Sequence, residues 1–452
     1  MKPFSLLGLL ACFLITLMPA KAQDLEWKGH AELLGIWSSQ SQLPFWMHTN
    51  TEFLRGATSN ASVLGAVIAT YPISETAFFE GATSWMYRDN VANELQRKEL
   101  YVKFQNSWLK VWGGAFSTLN PNENLSISHK NFLFSGNARP LPGLLAEASN
   151  PFKLSQTFSV DWGLGQFFLN DEGRFVNDVL VHYKRLGLNV QFSENHLLKV
   201  QLQHYVQWGG TSPVYGELKN DFEAFIDVFT ARKRSETGAD GEIYNAVGNH
   251  MGTYLLDYQW KGSTGTFNAY HEHPFEDGSG TRLANFPDGI WGVGFQPNTS
   301  KIIQKVVYEY IHTLSQSGNT SDSGFDSYFR NSVYRTGWSY EGNIIGMPLI
   351  VNDPNLELTA TNSPIVIDRV TAHHLGIEGS YAKWYWQLKS TMIKGLGTYR
   401  EPLPKALKSW NNVVWVHYQT GVYGDIQLVL GADFINNTEN RYAVGLGYRY
   451  QF

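Results

Sequence analysis

The feature that most constrains the fold is an alternation of apolar side chains with a period of two. In the C-terminal segment, apolar residues occupy every second position from Tyr442 to Phe452, and polar or small residues lie between them. Because successive side chains of a β-strand point to opposite faces, this pattern predicts one apolar and one polar face. The same alternation recurs at residues 99–104, 199–208, 382–389 and 425–434.

The length of these runs favours strands that cross a membrane, which need roughly 9–11 residues when they are tilted. Tyr442, Tyr450 and Phe452 lie at the ends of an apolar face, where the aromatic girdles of membrane barrels are expected. Hydrocarbon cannot satisfy free backbone groups, so such a sheet must close on itself. We therefore predict an all-β transmembrane β-barrel with a minor helical part. A large soluble β-sandwich or propeller is the alternative.

The first residues are predicted to be a secretory signal peptide, residues 1–22. Lys2 precedes an apolar stretch from Phe4 to Met18, and Ala20-Lys21-Ala22 matches a small-x-small cleavage pattern. A lipoprotein site ending at Cys12 is disfavoured, because it would halve the apolar stretch. Cleavage after Ala22 places the barrel at residues 23–452 and removes the only cysteine. For an exported barrel of membrane-spanning strands, the predicted location is the outer membrane of a Gram-negative cell.

Composition excludes other classes of protein. Only 17% of the residues are charged and the formal net charge is −5, so we expect no nucleic-acid partner. The sequence contains no P-loop, no Gly-x-Ser-x-Gly elbow and no His-Glu-x-x-His motif. We expect no catalytic residue, metal or cofactor.

Two segments are predicted to be helical. Apolar residues recur at helical spacing between Leu218 and Phe229, which predicts an amphipathic helix near residues 216–237 that packs on or in the barrel. The Pro-rich turn Arg139–Gly143 is followed by a predicted short helix at Leu144–Ala148.

The densest polar cluster is Tyr270–Gly280. As a continuation of a strand from Thr266, it places His271 and His273 on one face and Glu272 on the other, with Glu276 and Asp277 in the following turn. Two imidazoles could begin a metal site, but zinc needs further ligands. Paired carboxyls could act as in glycosidases. A hydrogen-bonded structural cluster and a sugar-binding site are the other two interpretations.

Further candidates for contact with a sugar are the pair Asn249 and His250, which also fits a turn into a strand, and three aromatic side chains. Trp46 lies in the segment Leu43–Trp46, which is predicted to be a loop, and it could stack on a sugar or fill a gap. Trp338 and Tyr340 share one strand parity and could form a stacking ledge or part of a lipid girdle.

Several strings together resemble the capsule assembly Wzi family of outer-membrane proteins, in its Bacteroidetes form. They are Leu43–Trp46, Ser135–Pro140, Gly248–His250, Tyr270–Gly280, Gly337–Tyr340, Gly346–Ile350 and Ala372–Gly376.

This resemblance implies about 18 antiparallel strands and a periplasmic helical part. It implies a non-catalytic surface lectin that attaches capsular polysaccharide or exopolysaccharide to the cell, with outer-membrane lipid and the barrel assembly machinery as partners. Two alternatives stay open: a porin-like channel for a small solute, and an envelope glycan hydrolase that uses the cluster at residues 270–280.

Overall fold

The structure is a computed structural model that describes residues 25–237, 243–276, 280–300, 302–316, 327–436 and 438–452. The predicted signal peptide, residues 1–22, and Asp277 lie outside the described residues.

Eighteen antiparallel strands form a closed barrel, which confirms the predicted fold class. Each strand pairs with its neighbours in chain order, and the last strand pairs with the first through contacts such as Tyr450 with Ala31. The two-residue strand Phe152–Lys153 joins the same sheet.

The barrel strands are β1 (Glu26–Ser38), β2 (Ala61–Ser74), β3 (Ala77–Arg88), β4 (Leu95–Gln105), β5 (Leu109–Ala115), β6 (Pro142–Ala148), β7 (Phe158–Leu169), β8 (Val179–Ser193), β9 (His196–Trp208), β10 (Asn249–Lys261), β11 (Gly265–Phe275), β12 (Gly289–Pro297), β13 (Ile303–His312), β14 (Val370–Tyr381), β15 (Trp384–Gly397), β16 (Pro402–Gln419), β17 (Asp425–Ile435) and β18 (Arg441–Gln451). Four short hairpins lie outside the barrel sheet: Thr211–Ser212 with Gly216–Glu217, Lys233–Thr237 with Ile243–Ala246, Ser339–Tyr340 with Asn343–Ile344, and Val351–Asn352 with Ile365–Ile367.

The two ends of the barrel differ in their connections. At the short-turn end, hairpins such as β2–β3, β8–β9 and β14–β15 are joined by two residues each. At the long-loop end, the connections include residues 39–60, 116–141, 209–248 and 313–369. In outer-membrane barrels the short turns face the periplasm and the longer loops face the cell exterior.

The predicted alternation sorts side chains between the two faces of the wall. On β18, Val444 is 38% exposed and Leu446 is 53% exposed, whereas Ala443, which has the opposite parity, is buried. The outer wall therefore presents the apolar parity to lipid, and the small or polar parity faces the lumen.

The core of the molecule is inside the barrel. We call residues 39–60, 116–141 and 327–350 the plug, because these loop segments fold into the lumen. Their backbones pair with each other: Met347 N donates to Phe132 O over 2.7 Å, and Ser135 N donates to Ile345 O over 2.9 Å. Lys130 anchors the plug to the wall through Asp257 on β10, at 2.9 Å. The lumen is thus a packed interior and not a wide aqueous channel.

The described helices are few: α1 (Phe45–His48), α2 (Phe222–Thr230) and the 3-10 turns Pro121–Glu123 and Gly280–Arg282. None of them, within the described ranges, is long and apolar enough to span a bilayer. Helix α2 lies inside the stretch predicted near 216–237 but is shorter. The Asp221 side chain caps its first turn, and Ala231 ends it in the left-handed conformation, at φ 51°.

Two expectations about helices need correction. Both α1 and α2 lie in connections at the long-loop end, and not in the periplasmic helical part that the resemblance implies. Residues Leu144–Ala148 are strand and not helix. Leu145 pairs with Trp112 on one side and Gly165 on the other, so β6 is held in the sheet at both edges, and tertiary pairing overrides a sequence that also suits a helix.

Candidate functional site

Three connections meet around an open groove of about 740 Å³ at the long-loop end. Residues 171–177 form one wall, residues 211–214 a second and residues 336–364 contribute the third. We call this space the outer groove. Its size falls within the roughly 300–1,000 Å³ of typical ligand-binding pockets.

A buried ion pair fixes the first wall of the outer groove. Arg174 Nη1 lies 3.0 Å from Asp171 Oδ1, with both side chains almost fully buried. Arg174 also donates to Ser339 O over 2.7 Å, and Asp171 Oδ2 accepts from Glu341 N over 2.9 Å. The loop before β8 is therefore locked to residues 339–341 of the plug, so the groove is preformed.

The other walls are held by backbone and amide contacts. Thr211 exchanges backbone hydrogen bonds with Asn177 at 2.9 and 3.0 Å, which ties the second wall to the first. Asn352 Nδ2 donates to Gly342 O over 2.8 Å, and Asp353 N donates to Pro364 O over 2.7 Å. These bonds hold the third wall as a hairpin beside the plug.

The chemistry of the lining is acidic and partly apolar. Glu172, Asp353 and Glu357 are exposed carboxylates in the groove. Among the described lining residues the only cation is Arg174, whose charge Asp171 already compensates. The apolar lining side chains include Pro213, Val214, Pro354 and Leu356. Oxygen acceptors beside small apolar surfaces suit a ligand with many hydroxyl groups and an apolar ring face.

The predicted cluster at residues 270–280 lies elsewhere, in the barrel wall. Glu272 points into the lumen, is fully buried and accepts from Phe132 N of the plug over 2.9 Å. His271 and His273 lie on the opposite face, as their parity predicts. The His271 ring stacks on Trp291 with 3.7 Å between centroids. Nδ1 of His273 lies 3.1 Å from Asp288 O.

Glu276, the other acidic residue of that cluster that the structure describes, has a separate partner. The Glu276 carboxylate accepts from Phe329 N over 2.7 Å and so holds the plug. Asp277 lies outside the described residues. Among the described part of the chain, no group of three or more His, Cys, Asp or Glu side chains is placed to hold a metal ion.

The predicted aromatic residues are buried in or beside the plug. Trp46 Nε1 donates to Thr391 Oγ1 over 2.9 Å, and Trp338 Nε1 donates to Leu133 O over 2.6 Å. Tyr340 donates to Asn170 Oδ1 over 2.9 Å. Since Trp338 is 0% exposed and Tyr340 is 2% exposed, they form no stacking ledge at the surface of this structure. Burial raises the pKa of Tyr340 to about 12, so its hydroxyl remains a proton donor.

Asn249 and His250 begin β10. Asn249 Nδ2 donates inward to Gln207 Oε1 over 2.9 Å, whereas the His250 ring lies on the outer wall with Nδ1 3.1 Å from Nε2 of His204. The structure therefore does not gather the predicted sugar-contacting residues that it describes into one site, and none of these described residues lines the outer groove.

Sequence reasoning missed the outer groove, because its walls come from three distant connections. The sequence does contain two Pro-containing segments in these walls, Thr211–Val214 and Asn352–Asn355. They indicate rigid turns but do not indicate a binding site.

Comparison with known proteins places the chain among outer-membrane barrels. The family model described as capsule assembly protein Wzi matches residues 57–350. The fold is similar to Escherichia coli Wzi, titled an outer membrane protein involved in group 1 capsule assembly and a carbohydrate-binding β-barrel. That similarity has a TM-score of 0.60 at 10% identity and covers 98% of this chain and 87% of that chain.

Weaker similarities are to two other barrels. The similarity to Pseudomonas aeruginosa OccK5 has a TM-score of 0.49 at 11% identity and covers 95% of this chain and 98% of the OccK5 chain. Acinetobacter baumannii OccAB4 has a TM-score of 0.49 at 10% identity, with the same coverage. No curated protein matches the sequence.

Proposed function

The chain belongs to the capsule assembly protein Wzi family and lies in the outer membrane, and we propose that it holds capsular polysaccharide or exopolysaccharide at the cell surface without turning it over. The observation that carries this proposal is the preformed outer groove, which opens at the long-loop end of a barrel whose lumen is plugged. A polymer outside the cell reaches that end without crossing the membrane.

The groove lining supports contact with sugars. The carboxylates of Asp353 and Glu357 can accept hydrogen bonds from hydroxyl groups, and Pro213 and Leu356 can pack against the apolar face of a pyranose ring. Each contact is weak alone. A polymer that occupies many copies of the protein at once gains affinity through multivalency.

The interior of the barrel favours retention over the two alternatives. A channel for a small solute needs an open lumen, whereas here the plug occupies the lumen and leaves a cavity of about 180 Å³ against the wall. A hydrolase based on residues 270–280 needs Glu272 accessible to substrate, but that carboxylate is fully buried against Phe132. The proposal also includes membrane lipid around the apolar outer wall and the barrel assembly machinery as partners.

A direct test is capture of the host's own surface polymer by the purified full-length protein in detergent. We expect the double variant Asp353→Ala/Glu357→Ala to capture at least about tenfold less polymer, which corresponds to about 1.4 kcal/mol. Glu194→Ala, an exposed carboxylate at the short-turn end, is the matched control and should bind as the wild type does. Equal capture by the groove variant and the control would refute the assignment of the groove.

The cellular test is deletion of the gene. Cells without the protein should still make the polymer but release it into the medium. If polymer synthesis itself stops, the retention role is wrong.

A further inference from the structure

Helix α2 packs against the outside of the barrel wall. Its Phe225 ring lies 6.1 Å from Trp208 on β9 and edge-on to His182 on β8, at 5.5 Å. Trp208 and His182 share the outward parity of their strands with the lipid-facing Leu202 and Leu186, which are 40% and 59% exposed. The helix therefore covers part of the wall that would otherwise face the membrane.

Helix α2 is capped at its first turn and bonded to the wall at its last turn. Asp221 Oδ1 accepts from Ala224 N over 2.8 Å at the first turn. At the last turn, Lys184 on β8 donates to Val228 O over 3.4 Å and also to Phe229 O. A cation at the carboxyl end of a helix interacts favourably with the helix dipole. The side of α2 that faces away from the wall is set by these contacts.

The exposed part of α2 carries an apolar stripe, which meets the wall at one edge, where the Phe229 ring lies 5.6 Å from His182. Phe222, Ile226 and Phe229 are spaced four and three residues apart, so they lie on one face of the helix. They are 77%, 39% and 40% exposed. On the same outer wall, Leu186, two residues from Lys184 on β8, and Leu256 on β10 are also exposed.

The height of α2 can be estimated from β8. Phe192, 61% exposed, lies near the short-turn end, and Lys184 lies eight residues before it. A strand tilted by about 40° rises about 2.6 Å per residue along the barrel axis, so Lys184 is about 21 Å above Phe192. The apolar band of an outer-membrane barrel is about 25 Å tall. If Phe192 marks the lower edge of this band, Lys184 and the end of α2 that it holds lie near the upper edge.

We propose that α2 is an interfacial helix seated in the outer leaflet, with Phe222, Ile226 and Phe229 in contact with lipid acyl chains. The helix thereby also shields Lys184 and His182 on the outer wall, because polar side chains that face hydrocarbon are costly. Amphipathic helices bury one apolar face by about 5–10 Å at such a boundary. The inference is independent of the outer groove.

The test uses nitroxide labels on the full mature chain in vesicles of phosphatidylethanolamine and phosphatidylglycerol. The only cysteine of the sequence, Cys12, lies in the predicted signal peptide, so single labels can be introduced as Phe222→Cys and Ile226→Cys. Leu202→Cys on the barrel wall is the lipid control, and Val214→Cys in the outer groove is the water control. Each sample is measured for relaxation by molecular oxygen and by a water-soluble nickel chelate.

We expect the labels at 222 and 226 to match the lipid control, with oxygen collisions at least several-fold above those of the chelate. Labels that match position 214 would place the helix in water and overturn the proposal. Labels shielded from both reagents would also overturn it, because they would show a protein partner on the stripe. Heat-modifiable migration verifies that each variant is folded, and Phe229→Cys replaces either helix variant that is not.

Discussion

Truncation of Trp338 should open the lumen while leaving the barrel intact. This side chain is 0% exposed and lies where the plug meets the wall, 5.5 Å from the Tyr205 ring on β9. Its Nε1 donates to Leu133 O of a second plug segment over 2.6 Å. Trp338→Ala removes the packing on the wall and the hydrogen bond between the two segments in one change.

The size of the effect follows from those two losses. Replacement of a buried aromatic residue by Ala costs about 3–5 kcal/mol, and the carbonyl left without its donor adds about 1 kcal/mol or more. None of the pairings between β-strands involves Trp338, so the cost falls on the plug. Because about 1.4 kcal/mol is a tenfold change in an equilibrium, the ratio of closed to open plug should fall by about three to four orders of magnitude.

Single-channel recording in planar bilayers measures this change. The wild type should pass little current, and Trp338→Ala should show frequent openings of high conductance. Trp384→Ala, a half-exposed residue at the short-turn end of the outer wall, is the matched control and should remain closed. A closed Trp338→Ala barrel with native heat-modifiable migration would refute the reasoning, because it would mean that the plug does not depend on this contact.

Three further predictions follow from charge and burial. Unlike the alanine variant, Asp353→Asn/Glu357→Gln keeps a hydrogen-bond acceptor at both positions and removes only the negative charge of the outer groove. Retention of a uronate-containing polymer should therefore rise several-fold at low salt and converge with the wild type at about 1 M salt, where screening is strong; no dependence on salt would contradict this. Burial raises the pKa of Asp368 to about 6, above its ordinary value of 3.8, so the folded protein holds that proton more tightly than the unfolded chain does. The free energy of unfolding measured in urea should therefore increase by about 1–3 kcal/mol from pH 7 to pH 4, and Asp368→Asn should lack this increase. Glu272→Gln keeps an oxygen that accepts from Phe132, so polymer capture should be unchanged; reducing ends released from purified capsule by the wild type and lost in this variant would instead support hydrolysis.

The strands could be predicted from sequence because lipid imposes a local rule. A side chain on β18 such as Leu446 must be apolar for a reason that depends only on its own position, so alternation is visible in one strand at a time. The interior imposes no such rule. Leu144–Ala148 was wrongly predicted as helix because β6 owes its conformation to pairing with β5 and β7, which are distant in sequence.

The candidate site could not be predicted because polar and aromatic residues serve two purposes in this barrel. Glu272 and Trp338 look like binding residues in a sequence, yet their partners are Phe132 N and Leu133 O in the plug. Parity indicates that Glu272 faces away from lipid, but it does not indicate whether it meets water or another loop. The carboxylates that line the outer groove, Asp353 and Glu357, carry no motif.

The plug and the outer groove share one segment, which links closure of the lumen to the binding surface. Residues 336–342 belong to the plug and also contribute to a groove wall, where Ser339 O accepts from Arg174. Trp338, one residue earlier, is held inside the lumen. A wall that continues into a packed core loses little conformational entropy when a polymer binds. The free energy of weak sugar contacts is therefore not offset by the cost of ordering a loop. It follows that Trp338→Ala should weaken polymer capture as well as open the channel, although Trp338 itself does not line the groove.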